Sequence, residues 1–232
     1  MRTDVLPRSD YNRLAGRSLA RVAALSDGIF AVAMTLLVLD LRVPELDAAH
    51  AHHPLSNGGA GIEGAAWSAL VSLAPRLLTY MLSFLTLGIF WLAQQAQLEA
   101  LAESDRNLAW LHLAFLVGVA LMPFSTSLLA DFITARVAVV TYEVNLLILG
   151  LALFAAWKYA GRAKLLRDEI RPRIRAANER RIALYQALYA MSALLSLIHT
   201  YISITFLVLL QLNSLFAPGL ALRPIRRGRR GQ

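Results

Sequence analysis

The chain has no cysteine at all and few charges: 16% of its 232 residues are Asp, Glu, Lys or Arg. The missing cysteines exclude disulfides and thiolate metal centres, and they fit a reducing compartment. So little charge, beside 57% hydrophobic residues and a positive mean hydropathy, is too low for a soluble domain of this length. Enzyme signatures are missing too. There is no HExxH, no GxSxG, no phosphate loop and no dinucleotide glycine pattern, so no enzymatic function is expected.

What the chain does have is long apolar runs. A helix needs about 20 apolar residues to cross roughly 30 Å of hydrocarbon. Candidate spans are 19–41, 68–96, 107–130 and 136–158, followed by an apolar tract over 184–217. The polar first 18 residues, mixed in charge, do not resemble a cleaved secretory signal, so the first span is expected to stay in the protein. As one helix, the last tract would be about 50 Å long at 1.5 Å per residue, more than a bilayer needs. It is one long tilted helix or two short ones meeting near His199 and Thr200, with no Gly or Pro marking a break.

The placement of positive charge chooses between them. Five arginines, from Arg2 to Arg21, lie at or before the start of the first span. Nine basic residues run from Lys158 to Arg181, and five more from Arg223 to Arg230. Basic residues near span ends favour the cytoplasmic side. With all three regions inside, the spans before Lys158 number four and the final tract divides into 184–198 and 200–217. The expected fold is therefore all-α: six membrane helices in a domain over 1–217, a basic, partly helical cytoplasmic connector at 159–182 and a basic tail at 218–232. The basic segments are expected to meet anionic lipid headgroups rather than nucleic acid, since no aromatic platform or binding motif accompanies them. The loop 42–65, poor in basic residues, fits the outside. Its His50, His52 and His53 read as solvated rather than as a metal site.

The first span carries Arg21, Ser26, Asp27, Thr35 and Asp40, and charges inside a membrane helix mark protein contacts or a path for ions. Leu25, Ile29, Val32, Leu36 and Leu39 form one apolar stripe, and Ala24, Gly28, Ala31 and Thr35 form a seam of small residues beside it. Arg21 and Asp27, six residues apart, do not form a pair on one helix face. Ser26-Asp27 fits either an N-cap for a helix starting at Gly28 or a functional site. No filter loop of the kind found in ordinary potassium channels is present.

Arg21, three residues, then Leu25-Ser26-Asp27 resembles the signature of the lysosomal potassium channel family (transmembrane protein 175-like): Arg, three residues, Phe-Ser-Asp. Leu25 stands in place of the Phe. GIFW at 88–91 and MPFST at 122–126 add to the likeness. The resemblance implies a six-helix subunit, four copies of which surround a pore lined by first helices. One motif and no second repeat imply a homotetramer in the plasma membrane of a prokaryote. It implies a constriction at Val32, five positions after Asp27, with Thr35, Leu36 and Leu39 on the same pathway. A ring of Thr35 hydroxyls is a sparse cage, so only modest preference for potassium over sodium is expected. Permeant potassium ions would be the only ligand, with no cofactor. Asp40 is placed at an outer mouth or at the interface, offset by Arg42. Arg21, Ser26 and Asp27 become anchors to neighbouring helices, with Trp91 and His112 as candidate partners. The competing expectation is a proton-coupled carrier or proton leak that uses Arg21, Asp27 and His112 as a relay; a membrane scaffold without transport is the third.

Overall fold

A computed structural model describes residues 18–41, 60–170 and 172–216. It holds seven α-helices: α1 Leu19–Leu37, α2 Ala60–Ser72, α3 Ala74–Ala100, α4 Arg106–Asp131, α5 Arg136–Arg162, α6 Pro172–Ile198 and α7 Thr200–Phe216. A 3₁₀ turn over Val38–Asp40 closes α1. The described residues contain no strand, only an isolated bridge between Leu101 and Leu166. Five of the helices (α1 with its 3₁₀ turn, α3, α4, α5 and α6) are long and apolar enough to cross a membrane, and α7 is a shorter apolar helix. The chain is an all-α, multi-pass membrane protein.

Helix ends follow local chemistry. Ser18, in extended conformation, caps α1 by accepting from the Arg21 amide. This removes the N-cap reading of Ser26-Asp27, which lie two turns inside the helix. Asp105 caps α4 through the Leu108 amide at 2.8 Å. The expected span 68–96 straddles a break: α2 ends at Ser72, Leu73 interrupts, and α3 continues to Ala100. Pro75 explains the break, because it has no N–H for the carbonyl four residues earlier and its ring crowds that carbonyl.

The connector expected at 159–182 is mostly helix. Helix α5 runs on to Arg162, and α6 begins at Pro172, twelve residues before the expected 184. Proline suits a first helical position, where its missing donor costs nothing. The irregular stretch between them includes Lys164 in the left-handed region at φ 58°. The final tract divides at His199. Ser192 and Ser203 side chains approach to 3.2 Å, whereas eleven residues along a straight helix would separate them by about 16 Å, so α6 and α7 fold back as a hairpin.

Helix α4 packs on α5, α5 on α6, and α7 on α6 and α3, while α1 lies against α3 and α4. One apolar core joins Phe30, Leu37, Leu87, Phe115, Met122 and Leu146; a smaller one holds Leu98, Leu101 and Leu108. Lipid tails are as apolar as leucine, so close packing and interhelical hydrogen bonds hold membrane helices together. Both are present. A Cβ on Gly118 would lie 2.9 Å from Leu149 Cδ2, so α4 and α5 approach as closely as glycine allows. Between α3, α4 and α5, Ser83 donates to Tyr142 at 3.2 Å and Thr126 to Ser83 at 2.7 Å. The loop after α3 is strapped to the loop after α5 by Ala102 N–H to Leu165 O at 2.9 Å and Arg167 N–H to Ala100 O at 3.0 Å.

Candidate functional site

Helix α1 presents two unlike faces. Ser26, Phe30, Ala33 and Leu37, at steps of four, three and four, are buried against α3 and α4. Phe30 meets the Phe115 ring at 5.9 Å between centroids. The other face is open: Val32 is 57% exposed, Leu36 43% and Leu39 63%, with Leu25 and Thr35 exposed as well. The apolar stripe read from the sequence therefore lies mostly on the side that the subunit's own packing leaves uncovered. Ala24, Leu25, Gly28, Ile29, Val32 and Leu36, with Ala120 of α4, line an apolar groove there. Thr35 Oγ1 donates to Val32 O at 2.9 Å, so its hydrogen is engaged while its lone pairs can still accept or coordinate.

The polar residues of α1 meet one face of α3. Trp91 Nε1 donates to Asp27 Oδ1 at 2.8 Å, and Gln95 Nε2 donates to the same oxygen at 2.7 Å. Next to them, Gln94 Nε2 donates to Ser26 Oγ at 3.0 Å, and Ser26 Oγ donates to Val22 O at 2.8 Å. Trp91, Gln94 and Gln95 are spaced i, i+3, i+4, which puts them on one face of α3 opposite the adjacent pair Ser26-Asp27. His112 of α4 is buried, and its Nδ1 lies 3.4 Å from Gln94 Nε2. His112 thus reaches Ser26 through Gln94, while Asp27 is held by different donors. Arg21, expected among the anchors, is exposed near the start of α1, and no ion pair among the described residues joins it to Asp27. Among the described residues no direct hydrogen bond or ion pair links Arg21, Asp27 and His112 to one another.

Asp40, in the 3₁₀ turn, borders an open cavity with Arg76, Ser127 and Asp131, where Arg76 pairs with Asp131 at 3.0 Å. Arg42, His50, His52 and His53 lie outside the described residues, as does the tail at 218–232. Among the described residues no group of three His, Asp or Glu side chains is arranged to hold a metal.

The motif on α1, its partners on α3 and the part of α4 up to Pro123 fall within residues 21–123, the stretch that matches the family model described as endosomal/lysosomal potassium channel TMEM175. A protein named as a potassium channel in Streptomyces collinus is 34% identical over 160 residues, covering 67% of this chain and 69% of that one. The chain belongs to the TMEM175 family. A crystal structure described as a lysosomal potassium-selective channel TMEM175 homolog from Chamaesiphon minutus aligns with a TM-score of 0.69 at 25% identity, covering 86% of this chain and 97% of that one. Human TMEM175, named an endosomal/lysosomal proton channel, is 32% identical over 116 residues, which are 47% of this chain and 21% of that protein.

In this TMEM175-family chain Gln94 and Gln95 join Trp91 and His112, expected from the sequence, as partners of α1: Gln94 lies between Ser26 and His112, and Gln95 shares Asp27 with Trp91. A signal was present: two adjacent amides within the otherwise apolar run of α3, three and four residues after Trp91. Polar side chains in such a run face protein rather than lipid.

Proposed function

We propose that this protein forms a cation channel that conducts potassium, with the α1 helices of four copies lining a central pore. The carrying observation is the open face of α1: large apolar side chains at Val32, Leu36 and Leu39 that the described helices leave exposed. Relatives named as potassium channels supply the ion and the class of activity. Brought together around an axis, these side chains form a constriction at Val32 that sheds water and opposes ions until it widens. Thr35, within a turn of Val32, offers one hydroxyl oxygen per subunit to a partly dehydrated cation. Such sparse coordination gives modest selectivity for potassium over sodium. The Ser26 and Asp27 contacts to Gln94, Trp91 and Gln95 set the angle and register of α1 on its subunit, and Asp40 lies toward the outer mouth. Both termini are placed in the cytoplasm of a plasma membrane, with the basic segments 159–182 and 218–232 against anionic headgroups.

The test is flux through purified protein in liposomes. Wild-type vesicles should pass potassium, and Val32→Asn should raise conductance by wetting the constriction. Unchanged current in Val32→Asn would remove Val32 from the pore. Uptake that saturates at low substrate and follows a proton gradient would replace the channel with a carrier, a reading weakened by the separate partners of Asp27 and His112.

A further inference from the structure

Glu143 lies seven residues into α5, inside the apolar run, and is fully buried. Its Oε1 accepts from Ser192 Oγ of α6 at 2.5 Å and from Ser203 Oγ of α7 at 2.6 Å. Ser203 Oγ also lies 3.0 Å from Ser192 O. One carboxyl oxygen thus gathers both arms of the hairpin, close to its turn at His199. The other oxygen, Oε2, is buried with no hydrogen-bond partner.

This uneven distribution suits one form of the acid. A carboxylate shares its charge between both oxygens, and a buried one needs donors or a cation at each. Here two serines donate to one oxygen, while a third serine beside the carboxyl, Ser196, turns its hydroxyl to Ala193 O at 2.7 Å and leaves Oε2 without a donor. No ion pair among the described residues includes Glu143. The ionisable groups toward this end of the surrounding helices are Tyr142 beside it on α5, Tyr185 and Tyr189 on α6, and the exposed His199 and Tyr201 at the hairpin turn, while the charged residues of α6, from Arg173 to Arg181, lie eleven or more residues before Ser192. The nearest basic residue on its own helix, Arg136, is two turns away, about 10 Å along the axis. In a neutral carboxyl the roles separate: the carbonyl oxygen accepts two bonds, and the other oxygen carries the proton.

We propose that Glu143 is a proton-holding site that latches the α6–α7 hairpin onto α5, with Oε1 as the carbonyl bound by Ser192 and Ser203 and the proton on Oε2. Ionising it places an uncompensated charge between three helices and releases the hairpin. Glu143 is on α5, away from the open face of α1, and the readout below needs no ion flux. Failure of the latch and failure of the channel reading are therefore separate results.

The decisive measurement is infrared spectroscopy of the wild-type protein in lipid, where a neutral carboxyl shows a carbonyl stretch that carboxylates lack. A band present in wild type and absent from Glu143→Gln is expected. Ser192→Ala and Ser203→Ala should each move it to higher frequency by removing a hydrogen bond from the carbonyl. Thermal unfolding gives a second arm: Glu143→Gln, which keeps the carbonyl acceptor without charge, should melt close to wild type, and Glu143→Ala clearly below it. A band that survives in Glu143→Gln, or Glu143→Gln melting as low as Glu143→Ala, overturns the proposal. If neither variant folds, the serine-induced frequency shift decides; its absence is equally fatal.

Discussion

The contact between Asp27 and Trp91 can be weighed by a double-mutant cycle. Asp27 Oδ1 accepts two N–H donors, at 2.8 Å from Trp91 and 2.7 Å from Gln95. Hydrogen bonds to a charged group contribute about 1.5–3 kcal/mol when shielded from water. Asp27 is exposed and Trp91 is 36% exposed in the single subunit, so water competes and about 1 kcal/mol per bond is the better estimate. Trp91→Phe keeps most of the ring and removes one donor, which should cost about 1 kcal/mol; Asp27→Ala loses both bonds, about 2 kcal/mol. In the double variant the Trp91 bond is already gone, so the loss should stay near 2 rather than reach 3 kcal/mol, a coupling of about 1 kcal/mol. Reversible unfolding of the four proteins in mixed micelles reads these differences directly. Simple additivity would show that Trp91 and Asp27 do not stabilise each other, and the anchoring role of the motif would fall with it.

Other substitutions test the packing. Gly118→Ala should destabilise by about 1–3 kcal/mol, because the new Cβ meets Leu149 of α5 at 2.9 Å; unchanged denaturant midpoints would mean that α4 and α5 separate easily. Leu37→Ala, in the core, should cost about 2–5 kcal/mol in the same assay, whereas Leu39→Ala, 63% exposed, should leave subunit stability nearly unchanged while altering current. Lys164→Gly should stabilise by up to about 1 kcal/mol by relieving a left-handed backbone at φ 58°, readable as a raised melting temperature.

Hydropathy locates the apolar spans because the bilayer sets a length that few other constraints imitate. Ends were harder to read. Pro75 and Pro172 both lie in the first turn of a helix, whereas Pro123 sits inside α4 without ending it, so the residue type alone does not locate a boundary. The hairpin at His199 has no Gly or Pro to announce it; charge counting found it indirectly, and the Ser192–Ser203 contact shows it locally. For the site, periodicity separated an apolar stripe on α1 but could not say whether the stripe faced inward. That depended on Ser26, Phe30, Ala33 and Leu37 fitting α3 and α4 better, a question of shape between distant segments. Glu143, a lone acid inside an apolar span, carries a signal of its own in the sequence.

The division of α1 into a buried side and an open side has a consequence for how such a protein can change. A substitution at Phe30 or Ala33 disturbs each subunit where it folds. One at Val32 or Leu39 leaves the fold alone but, in the proposed fourfold ring, would recur four times around a single axis. One added or removed methyl group would then be felt as four at the proposed constriction. Under that proposal, variation along this helix would retune permeation in coarse steps while the scaffold that presents it stays the same.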